Sequence, residues 1–159
     1  MLACVVPRVG RALRKGPETR PASFSFVKWR WFAVSDERSS LAWSGRTAVV
    51  SACGEIDIIN AEGFRDTMLS ALNAGAAALV VDMTSTTFLD SAGVTALVRA
   101  LRRATATEAS LRLAVTAPSV LRVLNLVGVD RLMEVYPGVA EAMASLPDQA
   151  DHADRGLPA

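Results

Sequence analysis

Apolar positions along this chain switch between short unbroken runs and helical stripes, and the switches mark out its elements. Ala77-Ala78-Leu79-Val80-Val81 is a β-branched run with no polar break, which predicts a strand buried on both faces. Further on, Val94, Leu97, Val98 and Leu101 recur at i, i+3, i+4 and i+7, the buried face of a helix, with Arg99, Arg102 and Arg103 on the other side. Between them, Asp82 to Asp90 reads as a loop rich in Ser, Thr and Asp that joins a strand end to a helix start. In open α/β folds, ligands and partners meet the protein at that end of the sheet. Asp90 or Ser91 can cap the helix by accepting a bond from one of its first free N–H groups. Gly93 lets the backbone approach a neighbour closely.

The flanking segments complete the pattern. Ser39–Trp43 and Arg46–Cys53 read as two strands around a tight Ser44-Gly45 turn, the second delivering Gly54-Glu55-Ile56-Asp57 at its end. A helix near Ala61–Ala74 turns Phe64, Met68, Ala71 and Leu72 inward and Arg65, Asp66 and Asn73 outward, and Gly75 stops it. Leu111–Val115 is another strand, and Pro118 suits the start of a helix with Val120, Val123, Leu124 and Val127 on one face and Leu121 and Leu126 off it. A short strand at Leu132–Val135 and a helix from Pro137 to Leu146 follow. Alternation of strand and helix after an opening hairpin predicts an α/β fold, a mixed, mostly parallel sheet of about five strands with helices packed on it.

Composition changes this picture only at the ends. Hydrophobic residues at 51% and charged residues at 21% describe a soluble globular protein. The net charge of +1 hides an asymmetry: residues 1–34 carry seven Lys/Arg against Glu18, whereas residues 35–159 carry ten basic and fifteen acidic groups. The expected organisation is a basic, aromatic-containing extension over residues 1–37, a domain over 38–147 and a flexible tail over 148–159. The Arg-rich extension is broken by Pro7, Pro17 and Pro21 and reads as an irregular appendage. A mildly acidic domain is a poor surface for direct nucleic-acid binding, and no apolar run approaches the ~20 residues of a membrane helix.

The residues also restrict the chemistry. The only histidine is His152, in the tail, so Ser-His and Cys-His catalysis have no base within the domain. Cys4 and Cys53 form no disulfide framework, which fits a reducing cytoplasm, and Cys53 reads as a buried strand cysteine. There is neither a usual zinc set nor a G-x-x-x-x-G-K-[ST] or G-x-G-x-x-G phosphate loop, so no metal or other cofactor is expected. Glu55, Asp57, Asp82 and Asp90 all fall at predicted strand ends. Clustered there, they would suit a Mg²⁺-holding receiver, although the only lysines are Lys15 and Lys28; otherwise they cap turns and helices. The run Thr84-Ser85-Thr86-Thr87 reads as hydroxyls that satisfy loop backbone groups.

Three motifs carry a resemblance to a known family. Asp82 through Val94, with Phe88-Leu89 before Asp90-Ser91-Ala92-Gly93, resembles the signature loop of STAS domains, the fold of bacterial anti-sigma factor antagonists. Gly54-Glu55-Ile56-Asp57 matches a second hallmark, and Leu124-Asn125-Leu126-Val127-Gly128-Val129 is similar to a third, in consistent order over roughly residues 38 to 147. The resemblance implies a STAS-like mixed sheet and a cytoplasmic binding module without catalysis. The partner it implies is an anti-sigma factor of the ATP-binding serine-kinase type, whose occupation releases a sigma factor. Membrane and nucleic acid are not implied as partners, and a homodimer is left open. The implied contact surface comprises Asp57, Thr87, Asp90, Ser91, Ala92, Gly93 and Val94.

The family's phosphorylated hydroxyl is usually the second of the pair, where this chain has Ala92. Ser91 is the adjacent candidate, rotated by about 100° on a helix start, with helix capping as its expected task. Two further readings stay open: a phosphoreceiver or small-ligand-binding domain that uses the same strand ends, and a subunit of a larger stress-signalling or lipid-transport assembly.

Overall fold

The computed structural model describes residues 29–31 and 39–146. Its elements in chain order are β1 (Trp29–Trp31), β2 (Ser39–Ser44), β3 (Thr47–Ile56), α1 (Ala61–Asn73), β4 (Ala78–Leu89), α2 (Ser91–Ala106), β5 (Ser110–Val115), α3 (Pro118–Leu126), β6 (Glu134–Tyr136) and α4 (Val139–Ala144). A 3₁₀ turn at Val129–Arg131 sits between α3 and β6. One sheet runs β1-β2-β3-β4-β5-β6. The first three strands pair antiparallel and the remaining pairs are parallel. The five predicted strands are all present. β1, a sixth edge strand of three residues, comes from within the span read as an extension and pairs Trp29 with Ser44 and Trp31 with Ala42. The rest of that extension and the tail from residue 148 lie outside the described residues.

Parallel neighbours that follow in sequence need crossover helices, and crossovers of one hand along an unreversed strand order leave those helices on one face. Accordingly α1, α2 and α3 pack with Leu79, Val81, Met83, Leu111 and Leu113 into the main core. The opposite face carries a smaller cluster in which Ala142 of α4 meets Val49 and Val80. Leu72, Leu79, Leu97, Leu113 and Leu124 are fully buried, each contributing about 1.5–3 kcal/mol by transfer out of water. In α1 the inward set Phe64, Met68, Ala71 and Leu72 is buried as its periodicity requires. Gly75 takes φ +90° just beyond it, the left-handed conformation of a helix stop.

Two elements depart from the sequence pattern. The stretch from Asp82 to Leu89 is strand, not loop, and β4 is 12 residues long. Its second half keeps pairing with β3 as far as Ile56↔Leu89, through irregularities between Ser51 and Cys53 and between Gly54 and Glu55. β5 ends opposite Met83. Beyond that point Thr116 Oγ1 and Ser119 Oγ donate to the carbonyls of Thr84 and Thr87 at 2.9 and 3.0 Å, so a strand without its neighbour still has acceptors satisfied.

The second departure is in α2. The buried stripe is Gly93, Ala96, Leu97, Ala100 and Ala104, while Val94, Val98 and Leu101 are only partly covered. Small residues let α2 settle close to its neighbours, which rotates the larger valines to the flanks. In α3, Val120 and Leu124 are buried, but Val127 lies past the helix end and is exposed.

Candidate functional site

The ends of β3 and β4 deliver two turns side by side. The first, Asp57-Ile58-Ile59-Asn60, leads into α1. Asp57 Oδ1 accepts from the Ile59 N–H at 2.9 Å, and Asn60 Oδ1 accepts from the Asp57 N–H at 3.1 Å. Asn60 Nδ2 donates to the Glu55 carbonyl at 2.8 Å, and the Asp57 carbonyl accepts from the N–H groups of Asn60 and Ala61. Such side-chain-to-backbone bonds make a rigid turn from Asp and Asn. The two isoleucines between them are pushed outward, 79% and 87% exposed.

The second turn is Asp90 itself. Its extended backbone (φ −97°, ψ −176°) places it as the N-cap of α2, with Oδ1 accepting from the Gly93 N–H at 3.0 Å. Its other oxygen, Oδ2, accepts from the Ile58 N–H at 3.0 Å. One carboxylate therefore holds the first turn of α2 and the turn before α1 in fixed relation. Gly93 permits this closeness, because a Cβ there would run into Leu89 Cδ1 and lie 2.9 Å from Ile56 Cγ2.

The structure brings all seven sequence-predicted contact residues to this end of the sheet, with different accessibility. Thr87 and Ser91 are exposed, and Asp57, Asp90, Ala92 and Val94 are half-buried. Gly93 is buried and acts by packing. Ser91 does not cap α2 with its side chain; Asp90 does, since the N-cap is the residue before the first helical one. Ile58, Ile59 and Phe88, 49% exposed, complete the surface and were not among the predicted contacts. The available signal was two isoleucines inside a turn flanked by Asp57 and Asn60, where no core can receive them.

Between α1 and α2, next to these turns, lies an open groove of about 380 Å³. Ile58, Ala61, Ala92 and Ala96 form its apolar lining, and Glu62, Arg65, Thr95 and Arg99 its polar lining. The Arg65 guanidinium is held by Asp66 at 2.8 Å and Glu62 at 3.1 Å, and those bonds raise its pKa above the ordinary arginine value. Arg99 has no hydrogen bond or ion pair among the described residues.

The acidic cluster does not form as four groups. Asp82 lies within β4, not at its end, and accepts from Ser51 Oγ, Thr84 N and Thr84 Oγ1. Among the described residues, no three His, Cys, Asp or Glu side chains converge as metal ligands. The hydroxyl run divides: Thr86 Oγ1 donates to the Ala52 carbonyl and Thr84 to Asp82, while Ser85 and Thr87 face solvent. Cys53 is half-buried in β3, which corrects the reading of it as a fully buried strand cysteine.

Known proteins give context for this geometry. The STAS domain family model matches residues 40–142. An anti-sigma factor antagonist from Mycobacterium paratuberculosis superposes with a TM-score of 0.63 at 23% identity, over 67% of this chain and 91% of that one. The anti-sigma factor antagonist SpoIIAA of Bacillus, in its unphosphorylated form, gives 0.59 at 25% identity, over 66% and 92%. The murine anion transporter Slc26a9 contains the same fold, with a TM-score of 0.55 at 20% identity over 62% of this chain and 17% of the transporter. Among the described residues, no helix here is long and apolar enough to cross a membrane. No curated protein matches the chain.

Proposed function

Because this chain belongs to the STAS domain family, we propose that it is an anti-sigma factor antagonist acting in the cytoplasm. It occupies a serine-kinase-type anti-sigma factor and thereby releases a sigma factor to polymerase. It acts by binding alone, through residues 38–147. The contact surface is the pair of turns around Asp57, Thr87, Asp90, Ser91, Ala92 and Val94, with Gly93 packed beneath. The observation that carries this reading is the Asp90 carboxylate, which bridges the N–H groups of Ile58 and Gly93. A surface locked by hydrogen bonds loses little conformational freedom on binding, and it here presents apolar side chains that the core does not use.

Phosphate control differs from the family pattern in this reading. Phosphorylation adds nearly two negative charges, which a partner surface fitted to a neutral group rejects. Ala92 has no oxygen to modify. Ser91 is exposed one position earlier, about 100° around the helix. The antagonist is therefore competent without dephosphorylation.

The test is a binding titration of the full chain against each serine-kinase-type anti-sigma factor of its source organism, followed by sigma-dependent transcription in vitro. Saturable binding that restores transcription is expected; binding by none of them would refute the reading.

A further inference from the structure

α2 is basic in its second half. It carries Arg99, Arg102 and Arg103 and no acidic residue between Ser91 and Ala106. The domain around it has the opposite balance, with eight arginines against ten carboxylates over residues 39–146. The neighbouring cation on α1, Arg65, is paired with Glu62 and Asp66. Arg103 donates to the Asn73 amide, and Arg99 is exposed without a bond among the described residues. An unpaired arginine therefore borders a groove whose other lining is apolar at Ile58, Ala61, Ala92 and Ala96 and polar at Glu62, Arg65 and Thr95.

We propose that this groove receives a partner segment that places an aliphatic side chain between Ile58 and Ala92 and a carboxylate on Arg99. The proposal rests on the antagonist reading and names the chemistry of the partner at that surface. The apolar end is preorganised, because the Ile58 N–H is held by Asp90 and its side chain is 79% exposed. Arg99 stands two turns along α2 from Ala92, so the occupant spans about 10 Å between its apolar and acidic groups. A carboxylate matches the planar fork of a guanidinium, and a lysine partner would be rejected there by like charge. Ala92 contributes directly: its methyl lines the groove where a bulkier or charged group would narrow it.

The test uses the full chain and whichever serine-kinase-type anti-sigma factor binds it. Arg99→Glu is expected to weaken affinity by about tenfold or more, Arg99→Lys by about threefold, and the distant Arg131→Glu not measurably. Raising salt should weaken the unmodified chain and should strengthen Arg99→Glu, whose like-charge repulsion it screens. An acid-to-lysine change in the partner should restore binding to Arg99→Glu. If Ile58→Asp abolishes binding while Arg99→Glu leaves it unchanged, the groove assignment falls and the antagonist reading stands. A dimer of the chain that Arg99→Glu dissociates would instead assign the groove to a second copy and overturn the proposal. If no anti-sigma factor binds, both readings fall together.

Discussion

Replacing Asp90 with alanine removes two hydrogen bonds, those from the N–H groups of Gly93 and Ile58. The cap on Gly93 N is worth about 1 kcal/mol by analogy with other N-cap deletions. The bond to Ile58 N involves an ionised acceptor, but it is exposed, and water replaces much of what is lost; about 0.5–1 kcal/mol is a fair share. The sum, about 1.5–2 kcal/mol, corresponds to a fall of roughly 6–12 °C in Tm for a domain of this size. Asp90→Asn keeps only one acceptor oxygen, so it should fall about midway. The decisive assay is hydrogen exchange read at single amides, since Tm alone reports any destabilisation. Ile58 and Gly93 amides should lose protection together in Asp90→Ala, while Val80 and Leu113 in the central strands keep theirs to within the change in global stability. Full protection at Ile58 with a Tm within 1 °C of the unmodified chain would show that the carboxylate does not hold the two turns together.

Gly93→Ala should cost about 1–3 kcal/mol in denaturant unfolding, because the added methyl meets Leu89 and Ile56 with little room to yield. A chain beginning at Ser35 lacks β1 and leaves the outer edge of β2 unpaired; thermal melts should show a drop of a few degrees, about 1 kcal/mol, and an unchanged Tm would mean that the edge pairing adds nothing. Incubation with the cognate kinase and ATP should leave the intact mass unchanged, whereas Ala92→Ser should gain one phosphate and bind more weakly; stoichiometric phosphate on Ser91 would overturn the claim of constitutive competence. The purified protein should hydrolyse neither nucleotides nor simple esters, and turnover that survives repurification and is lost in Asp57→Ala or Asp90→Ala would contradict the binding-only reading.

Local pattern alone was enough for the layered α/β order of this protein. A strand buried on both faces needs an unbroken apolar run, as at Leu79-Val80-Val81, and a helix lying on a sheet needs a stripe, as at Phe64, Met68, Ala71 and Leu72. Two of the three short motifs end at the turns after β3 and β4, because turn chemistry is written in adjacent residues. What lay outside local pattern was set by partners distant in the chain. Whether Asp82 to Leu89 is loop or strand depends on pairing with β3, more than thirty residues away, and hydroxyl-rich sequence is compatible with either state. Which stripe of α2 is buried depends on how closely its neighbours approach, and two overlapping stripes, one of valines and one of small residues, were both present in the sequence. The division of labour between Asp90 and Ser91 was settled by the Ile58 N–H, which comes within 3.0 Å only when β3 and β4 lie side by side. The groove ending at Arg99 was invisible for the same reason: a surface made from two helices thirty residues apart exists only once the sheet has brought them together.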